Sequence, residues 1–486
     1  MIKKERLIVA KLRNFIESDH EYSIALIAGI RRVGKTTVLQ QLAATPNKDT
    51  LYIDFSGDAE KEEERLEAFL NNPTASLLLI DEITYLDGYE QKCQDIFNYC
   101  GDGTAWKFKA VITGSSPAHI CSLANGKLGG GRSRLFYMPV ITFVEYLYFT
   151  DKIPSYTDYS AATKEHFADY LQLKGLQRDL AISFDEDYFI SYYDETEQGD
   201  IRGHSSRSQV RIKRTDLLVV ANLLAYQLSE HSTYDTIKNP NNLGEKELRH
   251  ELSKAQRKAL NFTDTLMFKS YKNHKTLSHD DRVRILAFLI KSRVVNIGTE
   301  LQSTHDREED AYDFIRFLET TTNKSDLTEF FNKVSVAVCS PLLYTRLGQD
   351  ILSVAGLTIE QLWRNPKNND LLGKMLEVYI RGALSEHKNP RLVFTSAKLN
   401  YPSIGEVDVC HNDMRMLILC EVTAGQNKSR NRLAVHKYYE DIPCIRICTT
   451  QDIRSNDGCI HKIPYAQLCC MIDTGDIYNL TATTAL

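Results

Sequence analysis

The chain has 486 residues, of which 43% are hydrophobic and 25% are charged, and its formal net charge is −5. These proportions are typical of a globular protein and exclude a fibrous or disordered chain. The length predicts about three domains, because one hydrophobic core rarely serves more than roughly 250–300 residues.

Targeting and redox signals are scarce in this sequence. No apolar stretch approaches the roughly 20 residues that cross a bilayer, and the apolar run at residues 22–30 begins too far into the chain for a secretion signal. We therefore expect a cytoplasmic protein without membrane contact. The eleven cysteines contain no Cys-x-x-Cys pair, and the histidines lack zinc-site spacing, so we predict reduced cysteines and no structural metal.

A phosphate-binding pattern opens the chain. The all-apolar run at residues 24–28 predicts a strand buried on both faces. The next eight residues match Gly-x-x-x-x-Gly-Lys-[Ser/Thr], in which glycines let the backbone curl around phosphates and a helix start turns its N–H groups towards them. Lys35 is expected on the β- and γ-phosphates and Thr36 on Mg²⁺. The residues expected to bind ATP are Gly29, Ile30, Arg31, Arg32, Val33, Gly34, Lys35, Thr36 and Thr37.

A second apolar run, at residues 77–80, ends in two carboxylates, Asp81 and Glu82. Asp81 would hold Mg²⁺ through its water shell, and Glu82 would take a proton from an attacking water. This pair favours ATP hydrolysis over kinase or GTPase chemistry. The alternative is that both carboxylates only cap the following helix. An Asn-Lys-x-Asp sequence at residues 323–326, which reads guanine in GTPases, lies too far from the loop for one domain and is interpreted as chance.

Further strands are predicted on either side of this acidic pair. Residues 51–55 and 109–113 predict buried strands, and residues 60–70 predict an acidic helix. An extra strand is typical of additional-strand ATPases, where the strand at 109–113 would lie between the other two and end in a polar residue that positions the lytic water. Thr113 and Ser115 are the candidates. The alternative is that their hydroxyls cap a helix.

Three glycines at residues 129–131 precede Arg132 and Arg134, and a strand is predicted at 135–140 with a helix starting near Thr142. Arg132 is the candidate arginine finger, which would stabilise transition-state charge on the γ-phosphate of its own or a neighbouring subunit. The alternative is a solvated loop with two surface arginines.

These motifs, with Ile-Thr-Gly114-Ser-Ser and the run Gly-Arg132…Pro139…Phe143-x-Glu145-Tyr-Leu, resemble bacterial and archaeal AAA-type P-loop ATPases. The resemblance covers most of the chain in order, and it implies that homo-oligomers are common among related proteins. It also implies an α/β fold of three domains. These are an N-terminal P-loop ATPase domain with a parallel sheet (1–150), a mostly helical, winged-helix-like middle (151–365) and a C-terminal α/β domain similar to restriction endonucleases (366–486).

The C-terminal segment supports this comparison through its predicted order of helix, three strands, helix and strand, at residues 368–387, 391–396, 404–410, 416–422, 428–439 and 444–448. In the restriction-endonuclease fold, a nuclease needs Asp followed by Glu-x-Lys, whose carboxylates hold Mg²⁺. The candidate carboxylates here are Glu377, Glu406, Asp408 and Glu421, with Thr423 at the lysine position and Lys428, Arg430 and Arg432 downstream. The alternatives are a nuclease with a displaced cation and a degenerate domain kept for binding or structure.

Charge is distributed unevenly along the chain. Residues 201–300 hold 18 basic and 10 acidic residues, against 3 basic and 13 acidic residues in 54–102. A basic segment attracts nucleic-acid backbones, so DNA is a candidate partner. The alternative is a set of solvated helix faces with one flexible loop. The sequence predicts a Mg²⁺-dependent ATPase whose nucleotide cycle controls the C-terminal domain. The alternatives are a nucleotide-gated interaction or DNA-binding module with little turnover, and an ATP-regulated DNA nuclease.

Overall fold

The computed structural model of the protein describes residues 4–18, 21–29, 33–44, 48–100, 107–115, 117–129, 131–176, 295–299, 334–338, 340–342, 369–387, 409–412, 417–422, 444–450, 455–457 and 460–480. The chain divides into two compact units, with the division after Ile141. The three-domain organisation stays a prediction, because residues 177–294, which include much of the expected helical middle, lie outside these ranges. Within the same ranges, none of the helices combines the length and apolar character needed to span a bilayer.

The first unit alternates helices and strands. They are α1 (Leu7–Ser18), β1 (Ile24–Ala28), α2 (Lys35–Ala43), β2 (Thr50–Asp54), α3 (Ala59–Asn71), β3 (Leu77–Asp81), a 3-10 turn (Ile83–Tyr85), α4 (Tyr89–Cys100), β4 (Lys109–Thr113), α5 (Pro117–Asn125) and β5 (Ser133–Tyr137). The strands predicted at 24–28 and 109–113 are confirmed at those bounds. The strands predicted at 51–55 and 135–140 begin earlier, at Thr50 and Ser133.

The strands of this unit form a parallel sheet in the order β2-β3-β4-β1-β5. β4 therefore lies between β1 and β3, as predicted for an additional-strand ATPase. Every residue of β1 and of β3 is buried, as expected for a parallel sheet whose two faces are covered by helices. Because all the strands run the same way, the carboxyl ends of β1, β3 and β4 lie at one edge of the sheet.

The second unit holds the remaining described elements. They are α6 (Phe143–Phe149), α7 (Lys164–Leu171), β6 (Val295–Thr299), β7 (Val334–Val338), α8 (Asn369–His387), β8 (Val409–Asn412), β9 (Leu417–Glu421), β10 (Cys444–Thr450), β11 (Ser455–Asp457), β12 (Ile460–Pro464), α9 (Tyr465–Thr474) and a 3-10 turn (Asp476–Asn479). β6 pairs antiparallel with β7. The other strands form a mixed sheet, β11-β12-β10-β9-β8, in which β9, β10 and β12 are parallel and β8 and β11 antiparallel.

Several C-terminal elements match the sequence prediction. The helix predicted at 368–387 and the strands predicted at 416–422 and 444–448 are confirmed as α8, β9 and β10, whereas β8 overlaps only the end of the strand predicted at 404–410. The elements predicted at 391–396 and 428–439 lie outside the described residues. Sequence reasoning missed β11, β12 and α9. The likeness to restriction endonucleases therefore stays a prediction.

Helix α6 is anchored inside the second unit. Its N-cap is Thr142, whose side chain forms a reciprocal capping box with Glu145. The backbone N–H of Phe143 donates to the Tyr379 hydroxyl on α8 at 2.7 Å, and that of Val144 donates to Asp473 on α9 at 3.0 Å. The N–H groups of the first turn, which have no partners within the helix, are thereby satisfied by α8 and α9.

Candidate nucleotide site

The predicted phosphate-binding loop lies between β1 and α2, where two positions require glycine. A Cβ added at Gly29 would lie 2.7 Å from the carbonyl oxygen of Met138, closer than any side chain tolerates. Gly34 has φ +95°, a left-handed conformation that other residues adopt only under strain. The intervening Ile30, Arg31 and Arg32, predicted to bind ATP, lie outside the described residues.

The start of α2 has the chemistry of a phosphate site. Gly34 is its N-cap and supplies no side-chain acceptor, so the helix presents backbone donors and partial positive charge at this end. Lys35 is 5% exposed, and its Nζ donates to the carbonyl oxygen of Gly29 at 2.9 Å. Thr36 and Thr37 are exposed in the first turn, whereas Val33 is buried. The backbone donors, the Lys35 ammonium and the exposed threonines suit a bound triphosphate, whereas the buried Val33 side chain does not. The Thr36 hydroxyl is available to Mg²⁺.

Asp81 ends β3 at the same edge of the sheet and is 1% exposed. Its Oδ1 accepts a hydrogen bond from the Thr113 hydroxyl at 2.5 Å, and its Oδ2 accepts one from the Tyr52 hydroxyl at 3.1 Å. Burial, followed by the charge of Asp81, raises the pKa of Tyr52 well above its usual range. Mg²⁺ is a hard cation that takes oxygen donors, so the Asp81 carboxylate and the Thr36 hydroxyl fit this ion.

Glu82 follows directly and has an unusual backbone conformation. Its φ of 53° and ψ of 42° are left-handed, which costs a non-glycine residue about 1–2 kcal/mol. It occupies the N-cap of the 3-10 turn but makes no side-chain capping bond. Instead, its Oε2 accepts a short hydrogen bond from the Ser115 hydroxyl. The structure therefore disfavours the capping alternative for Glu82, and strain of this kind is common at active sites.

The two hydroxyls predicted at the end of β4 both contact this acidic pair. Thr113 and Ser115 are buried and donate to Asp81 and Glu82, respectively. Gly114 lies between them, and a Cβ added there would lie 2.8 Å from Cγ2 of Thr84. Their side chains are thus engaged with the carboxylates rather than with a helix end.

Sequence reasoning missed Arg6, a buried residue ahead of α1. Its guanidinium donates through Nη1 to the carbonyl oxygen of Val33 and through Nη2 to that of Pro139, the latter at 3.1 Å. It therefore joins the phosphate-binding loop to the segment after β5. No local pattern could reveal this role, because the two acceptors lie 27 and 133 residues away in the sequence.

Comparison with known proteins adds to this geometry. Residues 21–147 match the family model described as AAA domain. This part of the chain is an AAA-type P-loop ATPase domain. No curated protein gives a significant match to the sequence.

Solved structures resemble the chain weakly. The AMPPCP-bound DnaA of Aquifex aeolicus is 15% identical with a TM-score of 0.28, over 59% of this chain and 88% of DnaA. A Walker-type ATPase of Pyrococcus abyssi is 14% identical with a TM-score of 0.28, over 71% and 96% of the two chains. The Aeropyrum pernix ORC1 protein in complex with DNA is 11% identical with a TM-score of 0.25, over 73% and 95%. Similarities at this level carry no functional assignment.

Arg132 lies apart from the other candidates of the AAA-type domain. It precedes β5, so it lies at the amino end of that strand, whereas the loop and Asp81 lie at the carboxyl edge of the sheet. The five residues of β5 span about 16 Å at roughly 3.3 Å per residue. The Nη1 of Arg132 donates to the carbonyl oxygen of Lys127 at 3.0 Å, and the Arg132 guanidinium lies 5.7 Å from the ring centre of Phe97. The structure does not bring Arg132 together with Lys35 in one chain.

The nuclease candidates lie outside the AAA-type domain, and the structure describes them only in part. Glu377 on α8 is half-buried and pairs with Arg381 of the same helix. Glu421 is buried at the end of β9, beside Cys448 of β10. Glu406, Asp408 and Thr423 lie outside the described residues, as do Lys428, Arg430 and Arg432. A nuclease site therefore remains a prediction.

Proposed function

We propose that the AAA-type domain binds ATP together with Mg²⁺ and hydrolyses the γ-phosphate. The observation that carries this proposal is the pair of hydroxyl-to-carboxylate bonds at one sheet edge, Thr113 to Asp81 and Ser115 to Glu82. Capping a helix would require neither of these two hydrogen bonds. They orient two carboxylates beside a phosphate-binding loop, which is the arrangement that water attack on a phosphate requires.

Each side chain has a separate role in this proposal. The N–H groups at the start of α2 and the Lys35 ammonium bind the phosphates, while Thr36 and Asp81 hold the cation. Mg²⁺, when bound, neutralises charge shared by the β- and γ-phosphates. Glu82 accepts a proton from the attacking water through Oε1, because Oε2 is engaged by Ser115.

Phosphate release by the purified full-length chain, with and without Mg²⁺, tests the proposal. Lys35→Ala should abolish ATP binding, whereas Glu82→Gln should keep binding and lower turnover by about 10²–10⁴-fold, the range for losing a general base. Lys107→Ala, at an exposed lysine of the same unit, is the matched control and should behave as wild type. Equal phosphate release by wild type and Lys35→Ala would refute hydrolysis. Tight ATP binding with equal turnover in wild type and Glu82→Gln would favour the alternative of a nucleotide-gated module.

The proposal extends to control of the C-terminal elements by the nucleotide cycle. Support comes from chain continuity. Met138, whose carbonyl oxygen lies beside Gly29, is followed within a few residues by α6, whose first turn is capped by Tyr379 and Asp473. DNA remains the proposed partner on the basis of the basic segment at 201–300. ATP turnover measured with DNA, with RNA and without nucleic acid tests this extension, and equal rates in all three would remove DNA as an activator.

Two further proposals have their own experiments. Arg132 is proposed to act on a neighbouring subunit, because it lies away from the loop of its own chain. Loss of turnover in Arg132→Ala, with recovery on mixing with Glu82→Gln subunits, would support this role. For the nuclease alternative, plasmid is incubated with Mg²⁺ or Mn²⁺ and wild type or Asp408→Ala. Intact DNA in every lane would exclude cleavage.

A further inference from the structure

Asp81 accepts one hydrogen bond on each carboxylate oxygen, and the two donors come from different strands. Thr113 on β4 donates to Oδ1 at 2.5 Å, and Tyr52 on β2 donates to Oδ2 at 3.1 Å. β2 and β4 flank β3 on its two sides. Because the donors approach from opposite sides, they fix the plane of the carboxylate rather than only its position.

The strand register explains why a long side chain is needed at this position. β2 pairs with β3 so that Asp54 lies opposite Asp81 and Tyr52 lies opposite Leu79. Side chains two residues apart on a strand share a face, so Tyr52 and Asp81 point to the same side of the sheet. Two strand residues span about 6.6 Å, a distance that a tyrosine side chain covers and that serine or threonine does not. The phenol therefore has the reach to donate to Oδ2, which a serine or threonine hydroxyl lacks.

Tyr52 is itself held in place from the helix side. Arg65 of α3 donates through Nη2 to the carbonyl oxygen of Tyr52 at 3.3 Å, and the same arginine pairs with Glu62. The strand pairing also continues beyond β2, where the N–H of Phe55 donates to the carbonyl oxygen of Asp81 at 3.1 Å. The backbone on both sides of the Tyr52 to Asp81 bond is thus fixed.

We propose that Tyr52 is a positioning residue for the magnesium site, which holds Asp81 in the orientation that presents its remaining lone pairs to the hydration shell of Mg²⁺. The inference rests on the proposed ATPase function. Groups that hydrogen-bond to the carboxylate of a metal site typically change metal affinity or activity by about 10–100-fold when removed. Without the phenol hydroxyl, the Asp81 carboxylate keeps only its hydrogen bond to Thr113 and can rotate. Metal affinity should therefore weaken more than nucleotide affinity does.

The test is Tyr52→Phe in the full-length chain, with Tyr99→Phe as the control, because Tyr99 is 41% exposed on α4. Binding of Mn²⁺ in the presence of ADP is measured by electron paramagnetic resonance, and ATP turnover is measured against Mg²⁺ concentration. Tyr52→Phe should raise the Mn²⁺ dissociation constant and the Mg²⁺ concentration for half-maximal turnover by about 10-fold. Its turnover at saturating Mg²⁺ should stay within about threefold of wild type, and metal-free ADP affinity should be unchanged. Tyr99→Phe should match wild type throughout.

Two outcomes separate this inference from the proposed function. Equal Mn²⁺ affinity in wild type and Tyr52→Phe, or no Mn²⁺ binding by either, overturns the role of Tyr52. A wild type that binds Mn²⁺ with ADP but releases no phosphate overturns hydrolysis alone, and the effect of Tyr52→Phe on Mn²⁺ binding still reports on the positioning of Asp81.

Discussion

The Tyr379 hydroxyl donates to both carboxylate oxygens of Asp473, at 2.8 and 2.7 Å, and accepts the N–H of Phe143 at 2.7 Å. Asp473 also accepts the N–H of Val144. Burial and the charge of Asp473 raise the pKa of Tyr379 well above its usual range. Two helices from the C-terminal part of the chain thus add partners to the Thr142 capping box of α6. Buried groups in such a network have no water to replace a lost partner.

Asp473→Ala should therefore destabilise the second unit. It leaves the Tyr379 hydroxyl and the Val144 N–H without their acceptor, at a cost of about 2–4 kcal/mol. Urea unfolding followed by circular dichroism measures the change. Glu165→Ala, at an exposed position on α7, is the control and should stay within about 0.5 kcal/mol of wild type. A similarly small change in Asp473→Ala would show that the cap does not stabilise the unit.

Gly114 offers a direct test of how the hydroxyl pair depends on backbone position. A Cβ at Gly114 would lie 2.8 Å from Cγ2 of Thr84 and 3.1 Å from Cδ1 of Ile120, so either these side chains or the backbone between Thr113 and Ser115 must shift. Gly114→Ala should lower ATP turnover by at least about 10-fold and stability by about 1–3 kcal/mol. ATP affinity should change little, because the phosphate-binding loop is elsewhere.

Gly57→Ala is the matched control for this substitution. A Cβ at Gly57 would have no neighbour within 4 Å, so turnover and melting temperature should stay at wild-type values. Unaltered turnover in Gly114→Ala would mean that Thr113 and Ser115 do not need their observed positions for hydrolysis.

Local patterns made much of the first unit predictable. Apolar runs gave β1 and β4 at their observed bounds, because strands buried on both faces consist almost wholly of apolar residues. The glycine pattern and the carboxylate pair predicted a loop between β1 and α2 and an aspartate at the end of β3, and the structure has both at those positions. Thr113 and Ser115 were candidates because additional-strand ATPases end this strand in a polar residue, and the structure shows both hydroxyls donating to the carboxylates.

Long-range contacts explain what sequence reasoning missed. Arg6 reaches an acceptor 133 residues away, and Tyr52 reaches Asp81 only through the register of β2 against β3. Neither relationship leaves a periodic signal. For Arg132, the neighbouring glycines indicated a loop, but the parallel strand directions were needed to show that this loop and Asp81 lie at opposite edges of the sheet.

Arg6 should contribute to nucleotide affinity by holding the loop in shape. Lysine cannot reproduce the hydrogen bonds from two separate guanidinium nitrogens to Val33 and Pro139, because its ammonium has a single nitrogen. Arg6→Lys should weaken ATP binding by about 10-fold, measured with a fluorescent ATP analogue, and destabilise the unit by about 1–3 kcal/mol. Arg13→Lys, which changes a partly exposed pair with Glu5, is the control. Equal ATP affinity in Arg6→Lys and Arg13→Lys would contradict the role of Arg6.

The buried thiols of α4 should make the protein less stable in alkali. Burial raises the pKa of Cys93 and Cys100 to about 12, against about 8.5 for a free thiol. Above pH 8.5 the unfolded chain loses these protons, while the folded chain keeps them until about pH 12. The free energy of unfolding that the two thiols contribute is therefore unchanged below pH 8.5 and falls as the pH rises from 8.5 to about 12.

Each thiol should lower the free energy of unfolding by up to about 1.4 kcal/mol for each pH unit between pH 8.5 and about 12. Urea unfolding at pH 7.5 and 9.5, for wild type and for the double variant Cys93→Ala, Cys100→Ala, isolates their contribution from that of other alkaline groups. The double variant should be less stable at pH 7.5 because it leaves cavities, yet lose less between the two pH values. In the native protein at pH 8, iodoacetamide should leave both thiols unmodified, as mass spectrometry would show. Equal alkaline losses in both proteins, or rapid native labelling, would show that these thiols ionise like exposed ones.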